Sequence, residues 1–337
     1  MYKKGSTIFF ENPPVITGHA GVVGKKEGQG PLAREFDAVF EDTTLGQKSF
    51  ELAESAMLQD AIIRALASAS RSVSEVDFVL SGDLLNQCMG SSFAIKDFDI
   101  ASIGMYGACS TMALTLANAA MLVSAGVNIC VAGASSHFCS SERQFRYPLE
   151  YGGQRPPTAQ WTVTGAGSAV VENPETAQSP KIKITAAQIG TITDLGITDA
   201  NNMGAAMAPA AERTIWQFFE DTGTLPENYD LILTGDLGFT GSSLLYELME
   251  KEHNLSIKDY HKDCGMMIYN LKKQDVNSGG SGCGCSASVL CSHVMKELEK
   301  GNMKRVLFVA TGALMSTTTS KQGSTIPGIA HAVLLEV

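Results

Sequence analysis

The sequence predicts an α/β fold made of two copies of one half, stacked in five layers in the order α-β-α-β-α. Three observations predict it. The segment Glu75-Val-Asp-Phe-Val-Leu-Ser-Gly-Asp-Leu84 returns as Asn228-Tyr-Asp-Leu-Ile-Leu-Thr-Gly-Asp-Leu237, 153 residues further on. Apolar stretches of strand and helix character alternate along the chain, which calls for a mainly parallel sheet with right-handed crossovers. Residues 112–123 form a helix pattern that is apolar nearly all round. Such a helix must be covered on every side, which sheets above and below it achieve.

Each element has its own signal. Residues 52–69 place Ala53, Met57, Ala61 and Ala65 on one stripe, with Leu58, Ile62 and Leu66 beside it, the spacing of an amphipathic helix. Residues 205–221, with Ala211, Ile215 and Phe218, are their counterpart. Gly107-Ala-Cys-Ser110 opens the apolar helix, which ends at Gly126; Gly284-Cys-Ser286 opens a second one ending at Gly301. Residues 127–132 and 305–310 read as short strands leading into Gly133 and Gly312. Gly165–Glu172 and Gly328–Glu336 close the two halves. The halves span residues 1–175 and 181–337 and form one compact unit. The polar, proline-bearing stretch 172–180 separates them.

Bulk properties narrow the function. A net charge of −10 and a pI near 5.1 argue against broad nucleic-acid binding. No window approaches the roughly 18 apolar residues of a spanning helix, and no export signal is visible, so any membrane association is expected to be peripheral. The cysteines are expected as reduced thiols. Cys283-Gly-Cys285 is too tightly spaced for CxxC chemistry, and no Cys/His spacing suggests a metal site.

With Tyr106-Gly-Ala-Cys-Ser-Thr-Met-Ala113, Ile129-Cys-Val-Ala-Gly-Ala-Ser135 and Val163-Thr-Gly-Ala-Gly-Ser-Ala-Val170, the chain resembles the thiolase superfamily, including ketoacyl-ACP synthase III. The resemblance implies a thiolase-like fold whose halves are related by a pseudo-twofold axis. It also implies a homodimer, for which strand 127–132 is the expected seam. Within that superfamily Gly46-Gln-Lys-Ser-Phe-Glu-Leu-Ala-Glu54, Met203-Gly-Ala-Ala-Met-Ala-Pro-Ala-Ala211, Leu233-Thr-Gly-Asp-Leu-Gly238 and Ser278-Gly-Gly-Ser-Gly-Cys-Gly-Cys285 resemble the stage V sporulation protein AD family of spore-forming bacteria. That resemblance implies a non-enzymatic protein that binds dipicolinic acid and supports its uptake into the developing spore. It implies work with the other subunits of a membrane channel complex, peripherally on the inner membrane of the forespore. No cofactor is expected; calcium enters only with the ligand.

The site follows from the same motifs. Cys109 lies where a helix begins, and a helix N-terminus stabilises a thiolate. It reads either as the family's nucleophile or as a small packing residue at a tight turn. A nucleophile needs a base and an oxyanion stabiliser. Gly235-Asp236 stands where the family keeps a histidine, and Cys283 stands where it keeps an asparagine or histidine; the alternative for the latter is Asn277, several residues earlier, as a displaced substitute. Asp236 near Cys109 would oppose thiolate formation. Cys109, His137, Asp236, Cys283, Gly284, Gly312 and His331 are the expected ligand-binding residues. Arg143, Arg146, Arg155 and Lys321 are candidates for a carboxylate, and Asp83 or Asp236 for calcium. His253 and His261 read as solvated, and His293 as a packing residue. The alternative function is an acyl-thioester transferase or thioesterase that uses Cys109 and a substitute base.

Overall fold

The computed structural model describes residues 1–145, 155–178 and 182–337, with backbone alone over 142–145. The first half runs β1 (Val15–Gly24), α1 (Phe50–Ser68), β2 (Phe78–Gly82), β3 (Ala101–Gly104), α2 (Thr111–Ser124), β4 (Ile129–Ser136), α3 (Phe138–Phe145) and β5 (Gly165–Glu172). The second runs β6 (Ile182–Gln188), α4 (Met203–Thr222), β7 (Leu231–Thr234), α5 (Gly238–His253), β8 (His261–Asp263), α6 (Cys283–Val289), β9 (Arg305–Ala313) and β10 (Gly328–Glu336). Helix α6 continues through a π turn at Leu290–Val294 into Met295–Glu299.

The local chemistry explains the ends. Ser49 caps α1 by accepting from the Leu52 amide, and Asn202 caps α4 by accepting from Ala205. Side-chain acceptors at these positions satisfy amides that the helix leaves open. Gly223, at φ 68°, ends α4 in the left-handed conformation, where a side chain is disfavoured.

The strands join in the order β8-β7-β9-β10-β6-β1-β5-β4-β2-β3. Read outward from the β6–β1 junction, both halves give the same arrangement. In each, the first two pairings are antiparallel and the outer two parallel. The halves meet antiparallel, Ile182 opposite Ile16. The sheet is therefore mixed rather than mainly parallel. The chain returns after β4 and β9 to run alongside the same strand, which makes β4–β5 and β9–β10 antiparallel neighbours.

Three apolar clusters separate the five layers. Successive side chains of a strand point to opposite faces, and the clusters obey this. Val131 packs outward with Met57, Ile62 and Val170 under α1. Cys130 and Ala132 pack inward with Met112, Leu116 and Val123 of α2. On β10, Val333 and Leu335 join that central cluster, whereas Ala332 and Leu334 pack outward with Met207 and Phe218 of α4. Met112 and Leu116 are completely buried, each worth about 2 kcal/mol of apolar transfer.

Strand β4, expected as a dimer seam, is paired on both sides, by β5 and by β2. It has no free edge to offer. Among the described residues the free edge of this half is β3, whose four residues are all exposed.

Candidate functional site

Cys109 stands in the turn that leads into α2. Ser110 Oγ donates to the Gly107 carbonyl at 2.6 Å, and Thr111 Oγ1 to the Ala108 carbonyl at 2.6 Å. Ala108 is held at φ 50°, an unusual conformation for a residue with a side chain. These bonds fix Cys109, which is 6% exposed. Gly312 of β9 lets the turn approach: a Cβ there would come within 2.4 Å of the Gly107 carbonyl oxygen. Its part is close packing against the turn.

Asp236 follows β7 and is completely buried. Its Oδ2 accepts from the Gly282 amide at 2.9 Å and from Ser281 Oγ at 3.1 Å; its Oδ1 accepts from Thr311 Oγ1 at 2.9 Å. The Cys109 thiol lies close enough to feel the charge of the same carboxyl group. Asp263 shapes this turn by accepting from the Leu237 and Gly238 amides at 2.8 and 2.9 Å; burial pushes its own carboxyl up to about 7.

At Cys109 the opposition expected from Asp236 acts against the helix terminus. Burial first, then the charge of Asp236, pushes the thiol well above its usual value; the Gly282 amide and Ser281 pull the other way. Burial likewise raises Asp236. The helix terminus, which favours a thiolate, is outweighed, and Cys109 is held as a protonated thiol.

Cys283 begins α6 and is buried, but its thiol donates to the Ser135 carbonyl at 2.8 Å. Burial, then neighbouring acidic groups including Cys109, push it up as well. Gly284 carries no ligand-facing side chain. A Cβ there would meet the Gly165 carbonyl oxygen at 2.3 Å and the Ser136 amide at 2.7 Å. It is the contact that lets α6 lie on β4 and β5.

A cavity of about 20 Å³ lies beside Cys109, lined by Leu84, Tyr106, Ser141, Thr162, Ser281 and Met315 among others. That is room for one water molecule. An outer groove of about 290 Å³ adjoins it, lined by Asn86, Gln87, Cys88, Ser316 and Thr317. Tyr106 and Met315 line both spaces and form the partition between them. The sequence reading missed both residues and Ser141.

The other expected residues are elsewhere engaged. His137 is buried, with Nε2 bonded to the Thr43 carbonyl at 2.8 Å and Nδ1 accepting from the Cys139 amide. It ties α3 to a loop and does not line the cavity. His331 is buried on β10. Its Nδ1 accepts from the Gly190 amide at 3.1 Å, and burial lowers it to about 4. Its Nε2 lies towards the Gly107 turn, 3.5 Å from where a Gly107 Cβ would be.

His261, read as solvated, is buried between Thr234 and Tyr246 and is lowered to about 3 by burial. His253, also read as solvated, is half-buried, stacked on Trp216 and paired with Glu212. Asn277 donates to the Pro156 carbonyl and is no displaced stabiliser.

Arg155 lies over the Trp161 ring at 4.3 Å, and Lys321 is exposed at the end of the short helix Thr317–Lys321. Arg146 and the Arg143 side chain lie outside the described residues. Neither carboxylate offered for calcium has an oxygen to spare. Asp83 is buried and accepts from the Leu85 and Ser91 amides and from Ser91 Oγ, and Asp236 is engaged as above. Among the described residues no group of three or more His, Cys, Asp or Glu side chains is placed to hold an ion.

Comparison with solved structures places the fold. The crystal structure of 3-oxoacyl-[acyl-carrier-protein] synthase III from Aquifex aeolicus matches with a TM-score of 0.58 at 14% identity, over 96% of this chain and 100% of that one. Human mitochondrial 3-ketoacyl-CoA thiolase in complex with CoA matches with a TM-score of 0.61 at 12% identity, over 99% and 100%. The fold is thus thiolase-like. Stage V sporulation protein AD of Bacillus subtilis (strain 168) is 45% identical over 332 residues, 98% of this chain and 96% of that protein. The family model for stage V sporulation protein AD matches residues 4–336, and the chain belongs to that family.

Proposed function

We propose that this sporulation protein binds dipicolinic acid without acting on it chemically. In this reading it supports uptake of the acid into the developing spore, as a peripheral component of a membrane channel complex. The observation that carries the non-catalytic part is the burial of the Cys109 thiol beside the buried carboxyl group of Asp236. A condensing enzyme needs a thiolate and a base that takes its proton. Here the nucleophile position lies beside a carboxyl group already engaged by Gly282, Ser281 and Thr311, and the stabiliser position is a thiol bonded to a backbone carbonyl.

What supports binding is the pair of adjoining spaces. The outer groove has room for a small aromatic acid and is lined by neutral polar side chains. The inner cavity gives such a ligand a place to insert once Tyr106 and Met315 part. Since the described residues supply no ion-holding cluster, calcium would arrive chelated by the ligand. No helix of the described residues is long and apolar enough to cross a membrane, which suits attachment through partners.

Calorimetric titration of the full chain with dipicolinate, with and without calcium, is expected to give a saturable heat between micromolar and millimolar ligand. A flat trace under both conditions would sink the binding reading. One observation favours the alternative, an acyl-thioester transferase or thioesterase: Cys109 keeps its place at the start of α2 in a fold shared with condensing enzymes. The signature of that chemistry is an acyl group on Cys109.

A further inference from the structure

Ser141 is a buried residue of the inner cavity whose hydroxyl is not used up by the fold. It sits on α3, is 2% exposed and lines the cavity beside Cys109. Its amide makes the helical bond to the His137 carbonyl at 3.0 Å. Among the described residues its Oγ has no hydrogen-bond partner. Buried hydroxyls are nearly always partnered, because losing water without a replacement bond is unfavourable.

The neighbouring residues show the contrast. Ser140 Oγ donates to Glu54 at 2.6 Å, and Ser281 Oγ, across the cavity, donates to Asp236 at 3.1 Å. Those hydroxyls are committed to the protein. Ser141 is left with a donor and two lone pairs facing a space that accommodates one water.

We propose that Ser141 is the ligand-orienting residue of this site: its Oγ donates to an acceptor oxygen of the bound ligand, a carboxylate or carbonyl oxygen, which takes the place of that one water. This rests on the binding reading above and names the contact within it. Of the other lining residues, Leu84, Ala108, Met203 and Met315 offer no donor, Ser281 is spent on Asp236, Cys109 is buried beside that carboxyl group, and the Tyr106 phenol belongs to the half-exposed mouth. A ligand oxygen entering past Tyr106 and Met315 meets Ser141 as the buried hydroxyl without a partner among the described residues. A ligand of the same ring size without an acceptor at that place gains nothing from it.

The test is Ser141→Ala in the full chain, read by dipicolinate calorimetry and by thermal unfolding. The expected result is affinity about five- to tenfold weaker than wild type, the effect of one lost neutral hydrogen bond, with a thermal midpoint equal to or above wild type. Wild type and variant binding alike would overturn the role of Ser141 while leaving the binding reading intact. A clear fall in thermal midpoint would also overturn it, because the hydroxyl would then be holding the fold. No heat from either protein would overturn the binding reading itself, and the contact assigned here with it.

Discussion

Glu54→Gln is expected to abolish a large alkaline loss of stability. Glu54 lies in the first turns of α1 and is completely buried. It accepts from Ser140 Oγ at 2.6 Å and from Ser135 Oγ at 3.3 Å. Burial, then the charge of Asp83, push its carboxyl from 4.5 up to about 8; the two serines pull it down less. The folded state therefore holds a proton that the unfolded state releases. Stability from this group is complete below pH 4.5 and is lost as pH rises to about 8. The loss is on the order of 5 kcal/mol. Glutamine stays neutral throughout. Urea unfolding at pH 5 and pH 9 should show wild type falling by several kcal/mol more than the variant between the two. Equal falls would mean that Glu54 is already ionised in the folded protein.

Gly284→Ala is expected to be among the most disruptive single-methyl changes in the molecule. The added carbon would stand 2.3 Å from the Gly165 carbonyl oxygen and 2.6 Å from Ser136 Oγ. Two of the three nearest atoms belong to strand backbones inside the sheet and cannot swing aside. Either α6 lifts off β4 and β5, or the strands bend. Gly167 meets Ala287 of the same helix, where a Cβ would lie 2.2 Å from the carbonyl oxygen, so no slack exists along this face. The expected cost is about 3 kcal/mol or more. Lifting α6 also moves the Gly282 amide off Asp236. Gly301→Ala is the control: its position has φ 73° and open space around it, so only backbone strain of about 1 kcal/mol is expected. Chemical denaturation of both variants separates the two causes. Equal, small losses would show that the helix can back away freely.

The repeat made the architecture legible. Because both copies carry the strand and the Gly-Asp-Leu turn, the sequence alone aligned β2 with β7 and α1 with α4. It also placed Cys109, Asp236 and Cys283 near one another, since motifs at strand ends and helix starts are local signals. Sheet direction was not legible. Parallel or antiparallel pairing of β4 with β5 depends on where a long connection returns, which no short pattern encodes. The histidines were misread for a similar reason. His261 sits among charged residues in sequence, yet β8 carries it between Thr234 and Tyr246. Gly284 carried its signal openly, but a glycine before a helix suits both a ligand and a close helix–sheet contact, and only the distance to Gly165 decides. Glu54 could have been found: it lies four residues before Leu58 on the stripe that continues through Ile62 and Leu66, so a carboxylate there had to be buried.

The central proposal is that this family member keeps the thiolase-like pocket for binding while its nucleophile stays protonated. Intact-mass measurement of the full chain after incubation with excess acyl-CoA at neutral pH tests it most directly. The expected result is an unmodified mass, because Cys109 remains a buried thiol beside Asp236. An acyl adduct mapped to Cys109, absent from a Cys109→Ala variant, would contradict it.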